Sequence, residues 1–276
     1  MAELLSLVTT PDQAFSLVLR LCGISVAIST MELLSRRDLF ESRGCLSWKL
    51  LREFYWFAVP TRLESLLAGP GVRVVLIVRL VAAGGLVVGA STAAAVPCAL
   101  ALTLSVLFLN FRLPIGRDGS DQMNDLIVLS TTAALLCRSE TARTAALFFI
   151  AAQASLAYAT AGLAKLVSPV WRSGEAIAQI LSTMTYGHEQ AAVALRSSRV
   201  VSIAVCWSVV LFETLFVSWL LLGPDGALAV VAVGLAFHAG CAVLMGLNCF
   251  FWSFAATYPA IILTSTRLGP LIDLGR

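Results

Sequence analysis

Long apolar runs separated by short polar breaks make up most of the chain, and this pattern predicts its architecture. A helix that crosses the hydrocarbon core of a bilayer needs about 20 predominantly apolar residues. Runs of that length predict about eight membrane-spanning helices, at 13–34, 72–90, 91–111, 121–138, 144–166, 200–222, 226–246 and 248–266. We therefore expect an all-α, polytopic membrane helix bundle that forms a single transmembrane domain over residues 1–276.

The polar breaks predict how these helices are connected. Short breaks near residue 90, at 223–226 and at 246–249 predict three helical hairpins, although the last can instead be a kink that leaves seven spans. Two connections are long. In the first, the segment 46–57 alternates Lys and Arg with Leu, Phe and Trp at helical spacing, which is typical of an amphipathic helix lying in the membrane interface. The second, 167–199, indicates a similar helix less clearly.

The amino-acid composition indicates that lipid, rather than water, surrounds most of this chain. Of its 276 residues, 59% are hydrophobic and 13% are charged, whereas soluble domains have about 45–50% and about 25%. The net charge of +3 is too small and too dispersed to indicate a nucleic-acid partner. The seven cysteines show no metal-ligand spacing, so we expect neither a disulfide framework nor a metal site. Most Lys and Arg residues lie in connections 35–73, 112–117 and 165–199, which predicts that these are cytoplasmic and that both termini are outside.

Several ionisable residues fall inside the predicted spans, where such groups usually face the bundle interior or a wet cavity. Arg20 and Arg79 are long enough to reach the headgroups, and we expect them to do so. Asp121 and Asp125 are four residues apart and share a helix face, which makes that end of the helix polar. We expect Ser120 or Asp121 to cap this helix.

Three further ionisable groups suggest a polar pocket. Glu213 and His238 lie near the middle of their spans, where a structural polar cluster and an active pocket are both open interpretations. Lys165 ends its span and either reaches the headgroups or, if desolvated, acts as a general base. Tyr158, Gly162 and Lys165 are spaced by four and three residues, so they share one helix face. That face carries a phenol, a position without a side chain, and an amine.

Four stretches of the sequence are similar to a known membrane family. "YATAGLAKLVSPVWRSGEAI" (158–177), "LFETLF" (211–216), "FHAGCAVLMGLNCFFWSFAATYP" (237–259) and "FRLPIGRDGSDQMNDLI" (111–127) resemble motifs of the vitamin K-dependent gamma-carboxylase-like superfamily, also called the HTTM domain. The chain resembles short bacterial members, including proteins that mature a secreted sporulation-delay toxin peptide. Two positions depart from the animal enzymes: Ala164 replaces a lysine, and an acid at or near Asp121 replaces a histidine.

The resemblance implies roles for the pocket residues. Lys165 would be the base that deprotonates a quinol-like or vitamin K-like lipid, with His238 and Glu213 as further catalytic or positioning groups. Tyr158, Gly162, Trp171, Asp121 and Asp125 would belong to the pocket, and no metal is implied. We expect no separate extramembrane domain that would dock a propeptide.

These observations leave competing hypotheses about function. In the first, the chain is a membrane enzyme that uses a quinol and a lysine base for oxidative or carboxylating modification of a peptide or small substrate. In the second, it is a non-catalytic accessory protein that assists a peptide or a membrane partner in maturation or export. A transporter is a weaker hypothesis, because the sequence has no inverted pair of broken helices. In each case we expect a protein of the bacterial cytoplasmic membrane.

Overall fold

The computed structural model describes residue 8, residues 10–56 and residues 59–273, and all regular elements in these ranges are helical. The α-helices are α1 (Pro11–Ser35), α2 (Trp48–Leu51), α3 (Thr61–Leu67), α4 (Gly69–Gly89), α5 (Ala95–Arg112), α6 (Gly119–Cys137), α7 (Glu140–Val167), α8 (Pro169–Arg172), α9 (Ala176–Ile180), α10 (Glu189–Ser197), α11 (Arg199–Leu215), α12 (Gly223–Met245), α13 (Asn248–Ala255) and α14 (Tyr258–Asp273). Short 3₁₀ helices occur at Arg37–Phe40, Arg52–Phe54 and Phe216–Leu220.

Seven helical segments in the described chain are long and apolar enough to cross a membrane: α1, α4, α5, α7, α11 with its 3₁₀ extension, α12, and the α13–α14 segment Asn248–Leu268. This confirms the prediction of an all-α, polytopic membrane protein. Within the apolar window of α12, only 22% of the residues are buried, so most of that helix presents apolar side chains outward. Such a surface is stable against lipid rather than against water. Within the apolar window of Asn248–Leu268, 72% of the residues are buried, so this part of α13 and α14 lies mostly inside its unit.

The helix ends bear on two details of the predicted span pattern. The predicted span 121–138 corresponds to α6, a helix of 19 residues that falls outside the set of seven. At the other uncertain point, Gly246 ends α12 in the left-handed conformation with φ 71°, and its N–H donates to the Ala242 carbonyl at 3.0 Å. Glycine is the residue that adopts this conformation readily, and it ends the helix. The chain therefore turns between α12 and α13, as the hairpin interpretation predicts.

The segment 46–57 does not form the continuous interfacial helix that its spacing predicts, and Phe57 lies outside the described residues. It contains only α2 and the 3₁₀ helix Arg52–Phe54, after which Tyr55 is extended. Tertiary contacts explain the break. Trp48 and Leu51 are buried in a cluster with other apolar residues of this connection and of α4 and α5, and the Tyr55 hydroxyl donates to the Phe111 carbonyl.

The described chain divides into two compact units: an N-terminal unit, Phe15–Ala146, and a C-terminal unit made of the rest. In the N-terminal unit, α1 packs closely on α4, because a Cβ on Gly23 would lie 2.8 Å from the Ala83 carbonyl oxygen. Arg79 is buried between helices, with 2% of its surface exposed, and donates to Thr30 Oγ1 at 3.1 Å and Ser105 Oγ at 3.0 Å. The prediction that Arg79 reaches the headgroups is therefore wrong, since the neighbouring hydroxyls satisfy it within the bundle.

The C-terminal unit contains α7 to α14 for the most part, and its helices are joined by polar as well as apolar contacts. Trp219 in the last 3₁₀ helix is buried and donates from Nε1 to Ser155 Oγ on α7 at 3.0 Å. The first half of α14 is almost completely buried, including Ile261 and Leu263. Helices α7, α11, α12 and α13, together with the short helices α8 and α9, supply the lining of the pocket described next.

Candidate functional site

A cavity of about 410 Å³ lies among the helices of the C-terminal unit. Its wall is mostly apolar, with Phe237, Phe250 and Phe254 on one part and aliphatic side chains on the rest. Five of the residues that the sequence analysis singled out also line it: Tyr158, Lys165, Trp171, Glu213 and His238. An apolar pocket of this size with a few convergent polar groups is the usual form of a small-molecule site.

Lys165 and Glu213 form an ion pair in the pocket wall. Lys165 Nζ donates to Glu213 Oε2 at 2.5 Å, and the two side chains are 21% and 7% exposed. The ammonium also lies 5.2 Å from the centre of the Trp171 ring, in a cation–π arrangement. Lys165 thus has an anionic and an aromatic partner within the protein and does not need the headgroups to satisfy its charge.

A second polar group is centred on the Tyr158 hydroxyl. This oxygen lies 2.7 Å from His238 Nε2 and 2.7 Å from the Tyr258 hydroxyl, so three helices are linked by two hydrogen bonds. The other ring nitrogen of His238, Nδ1, is buried and has no hydrogen-bond partner among the described residues. Depending on the tautomer, Nδ1 is either a donor or an acceptor. In both cases it is a buried polar atom of a lining residue that the described residues leave unsatisfied.

Aromatic rings fix the orientation of these polar groups. Phe216 stacks on the Tyr158 ring with centroids 3.8 Å apart, and Phe254 stacks on His238 at 4.6 Å. Phe212 meets the Tyr158 ring edge-on at 5.5 Å. Because stacking restricts both rings, the phenol and the imidazole are held in place before any ligand enters.

Gly162 is placed differently from its predicted partners, because it contacts a neighbouring helix and is not part of the pocket lining. A Cβ at this position would lie 2.7 Å from the carbonyl carbon of Glu213 and would also collide with the backbone N of Thr214. The close approach that a small residue permits is therefore the approach of α11 to α7. Lys165 lies about one turn after Gly162 on α7, so the close approach of α11 at Gly162 also brings Glu213 beside Lys165.

Asp121 and Asp125 lie in the N-terminal unit, where both carboxylates face Arg117. Arg117 Nη2 is 2.8 Å from Asp125 Oδ2, and Arg117 Nε is 3.9 Å from Asp121 Oδ2. Asn110 Nδ2 also donates to Asp125 Oδ2, at 2.7 Å. Arg117 therefore offsets part of the negative charge of the two carboxylates at the start of α6.

The cap of α6 differs from the prediction. Asp118 is the N-cap residue, and its carboxylate accepts from the backbone N–H groups of Ser120 at 2.8 Å and Asp121 at 3.2 Å. Asp121 takes the reciprocal role, since its side chain accepts from the Asp118 backbone N–H at 3.4 Å. This is a capping box, in which the residue three positions after the cap supplies the second carboxylate. The helix therefore begins slightly earlier than the apolar run suggests.

Sequence reasoning missed some members of the site. Tyr258 was not identified, although its hydroxyl bonds to Tyr158 and it is 3% exposed. Cys241 and Phe254 also line the cavity. Cys241 lies three residues after His238, so helical spacing from a suspected polar residue was an available signal for it. Comparisons with protein-family models, curated proteins and solved structures give no match to this chain.

Proposed function

We propose that this protein is an integral membrane enzyme of the vitamin K-dependent carboxylase-like kind, which binds a quinol-like lipid in the pocket of the C-terminal unit. The observation that carries the proposal is the placement of a buried Lys165–Glu213 ion pair and an unpartnered His238 Nδ1 in one aromatic, apolar cavity. Oxidative or carboxylating modification of a peptide or small substrate, and a place in the bacterial cytoplasmic membrane, rest on the sequence resemblance alone.

The pocket has the chemistry that a quinol head group requires. A flat ring is accommodated by phenylalanine rings and aliphatic side chains, and a ring oxygen needs a hydrogen-bond partner once it leaves water. His238 Nδ1 has no partner among the described residues and would supply one in either tautomer once the imidazole ring turns toward the ligand. The remaining lining is apolar and is suited to the start of a hydrocarbon tail.

The Lys165–Glu213 pair is the proton acceptor in this proposal. When bound, a quinol supplies a hydroxyl proton and, with molecular oxygen, the oxidising chemistry that the resemblance implies. Glu213 can take up the proton directly while Lys165 remains an ammonium. Alternatively, Lys165 first passes its proton to Glu213 across the 2.5 Å contact and then accepts another. Both routes end with a carboxylic acid and an ammonium, whose positive charge stabilises an anion in the apolar pocket.

A second candidate function is that of a non-catalytic accessory protein, and one observation favours it. Each polar contact in the pocket also joins two helices: Lys165 to Glu213 links α7 with α11, and Tyr158 links α7 with α12 and α14. Such contacts can serve assembly alone, since buried ion pairs and hydrogen bonds tie helices together. In that case the cavity needs no specific ligand.

The two candidates differ in what remains bound after purification. Lipids extracted from the detergent-purified protein would be quantified by mass spectrometry for the wild type, Lys165→Ala and His238→Ala. The chain has two histidines, so His188→Ala, which lies outside the pocket, is the matched control. The enzyme proposal expects about one quinone per chain in the wild type and His188→Ala and loss in both pocket variants. Absence of quinone from all four folded proteins would favour the accessory function.

A second measurement tests the chemical step separately from binding. Glu213→Gln retains the shape of the side chain but removes its ability to take up a proton. We expect this variant to retain the quinone while quinol-dependent oxygen uptake by the purified protein is lost. Full oxygen uptake in Glu213→Gln would show that the carboxylate is not required for proton transfer.

A further inference from the structure

We propose that a second pocket, in the N-terminal unit, binds the head group of an aminophospholipid, with a phosphate and a primary ammonium as the recognised groups. This pocket has a volume of about 350 Å³. It is formed by the connection between α1 and α4 and by the first residues of α4. This inference is independent of the quinol pocket, with which it shares no residue.

Two buried donors in the lining need a partner. Ser47 is 1% exposed and Trp48 is 7% exposed, and both line the cavity. The Ser47 hydroxyl and the Trp48 Nε1–H have no hydrogen-bond partner among the described residues. Buried polar atoms are normally satisfied, because an unpaired buried donor has lost its hydrogen bond to water without replacement. Rotation of these side chains toward the cavity would let the oxygen atoms of a phosphate accept from both.

The charges around the cavity favour a zwitterion. The lining contains two cationic side chains, Lys49 and Arg52, and two anionic ones, Glu41 and Glu64. Arg73 already pairs with Glu41, and Arg52 pairs with Glu53 at 3.4 Å, whereas Glu64 has no ion pair among the described residues. A phosphate beside Lys49 and an ammonium beside Glu64 would each meet an opposite charge. A purely anionic head group would instead face two carboxylates.

The position of the pocket suits a lipid source. The connection that forms it lies between the end of one span at Ser35 and the start of the next at Gly69, which is the level of the membrane interface. Apolar side chains beside the cationic residues point outward, with Leu50, Phe54 and Trp56 exposed by 55%, 59% and 96%. Exposed aromatic and apolar groups next to Lys and Arg are typical of segments that enter the headgroup region.

The aromatic faces in the lining favour a primary over a quaternary ammonium. Quaternary ammonium groups are usually held over aromatic rings. Here, the Phe40 and Trp48 rings already carry the Arg112 guanidinium, at 5.7 Å and 5.6 Å. The carboxylate of Glu64 is available instead, and it accepts hydrogen bonds from a primary ammonium but not from a quaternary one.

Calorimetric titration of the detergent-purified protein tests this proposal. The probes are short-chain phosphatidylethanolamine, phosphatidylcholine, phosphatidylglycerol and inorganic phosphate. We expect phosphatidylethanolamine to bind most tightly, with inorganic phosphate weaker by about tenfold or more because it lacks the ammonium and the tails. Phosphate binding as tight as phosphatidylethanolamine would overturn a lipid source, and equal binding of all three lipids would overturn recognition of the head group.

Three variants test whether the lipid binds in this pocket. Ser47→Ala and Lys49→Ala should each weaken phosphatidylethanolamine binding by about fivefold. Arg36→Ala removes a positive charge from the same connection outside the lining and should leave binding unchanged. Lys49 is exposed and Ser47→Ala removes only an unpartnered hydroxyl, so both variants are expected to fold, with unchanged thermal unfolding as the check. Wild-type affinity in both pocket variants would overturn the site.

Discussion

Lys165 Nζ and Glu213 Oε2 lie 2.5 Å apart in the wall of an apolar cavity, and this contact joins α7 to α11. Each charge alone would be expensive in a membrane protein, whereas the pair is neutral overall. Because Gly162 allows the backbone of α11 to approach α7, the packing of two helices and the formation of the ion pair are one structural feature.

The first prediction concerns the reactivity of the two lysines in the chain, Lys49 and Lys165. An acylating reagent reacts with the lone pair of an amine, and Lys165 donates to Glu213 from a largely buried position. We expect Lys165 to be acylated about tenfold or more slowly than the exposed Lys49, because a charge-assisted hydrogen bond is worth about 1.5–3 kcal/mol. Peptide mass spectrometry after timed labelling of the purified protein measures both rates.

Glu213→Gln is the informative variant for this measurement. Without the carboxylate, the rate at Lys165 should rise while the rate at Lys49 stays the same. A Lys165 rate that does not change in Glu213→Gln would contradict the ion pair, since burial alone would then account for the protection.

The second prediction compares two helical glycines. Gly162→Ala would place a methyl group against the backbone of Glu213 and Thr214, and such overpacking typically costs about 1–3 kcal/mol. Gly84→Ala is the matched control, because no atom lies within 4 Å of a Cβ at that position. It should be neutral or stabilising by up to about 1 kcal/mol, since alanine is the better helix former.

Unfolding of both glycine variants in the same detergent gives the comparison. Gly162→Ala should also release Lys165 for acylation, because the methyl group pushes α11 away from α7. Equal unfolding free energies for the two variants would show that the α7–α11 contact is less close than the structure describes.

The helical class and most span positions could be predicted from the sequence, because they depend on local apolar run length. The hydrogen-bond partners depend on long-range packing, so they could not be predicted in the same way. Lys165, Glu213 and His238 were identified as isolated polar residues in apolar runs, but their pairing requires the register of three helices. Tyr258 was missed because a tyrosine near a helix start has many roles, and only the structure brings it to Tyr158.

The two wrong predictions, for Arg79 and for the segment 46–57, also concern features that long-range packing decides. Arg79 was expected to reach the headgroups, since length was the only available criterion. The structure instead supplies Thr30 and Ser105, which come from two other helices. The interfacial helix predicted at 46–57 does not form as one helix, because Trp48 is buried in a core cluster with residues distant in sequence, such as Leu109.

The third prediction tests the buried arginine. In Arg79→Lys, one ammonium replaces a planar guanidinium that donates to two hydroxyls on different helices. We expect a loss of about 1–3 kcal/mol in the free energy of unfolding, because at least one buried group is left poorly satisfied. Arg20→Lys is the control, since Arg20 is exposed and donates to the Val87 carbonyl, and its effect should stay within about 0.5 kcal/mol. Equal effects in the two variants would refute the structural role of Arg79.

The fourth prediction is that α6 crosses the membrane although it falls outside the seven most apolar segments. Its 19 residues give a length of about 28 Å, close to the roughly 30 Å of the hydrocarbon core. The carboxylates at its start are paired with Arg117 or belong to the capping box, so their charges are compensated or lie at the end of the span. With α4, α5 and α6 all crossing, Cys45 and Cys137 must lie on opposite sides of the membrane.

Two native cysteines allow this prediction to be measured without introducing a new cysteine. Cys45 and Cys137 are exposed, whereas the other five cysteines are buried or partly buried. In oriented membrane vesicles, a membrane-impermeant maleimide should label one of the two and reach the other only after permeabilisation, with Cys45→Ser and Cys137→Ser identifying each site. Labelling of both from the same side would mean that α6 does not cross. The chain would then have an odd number of spans, which would place the two ends of the membrane domain on opposite sides.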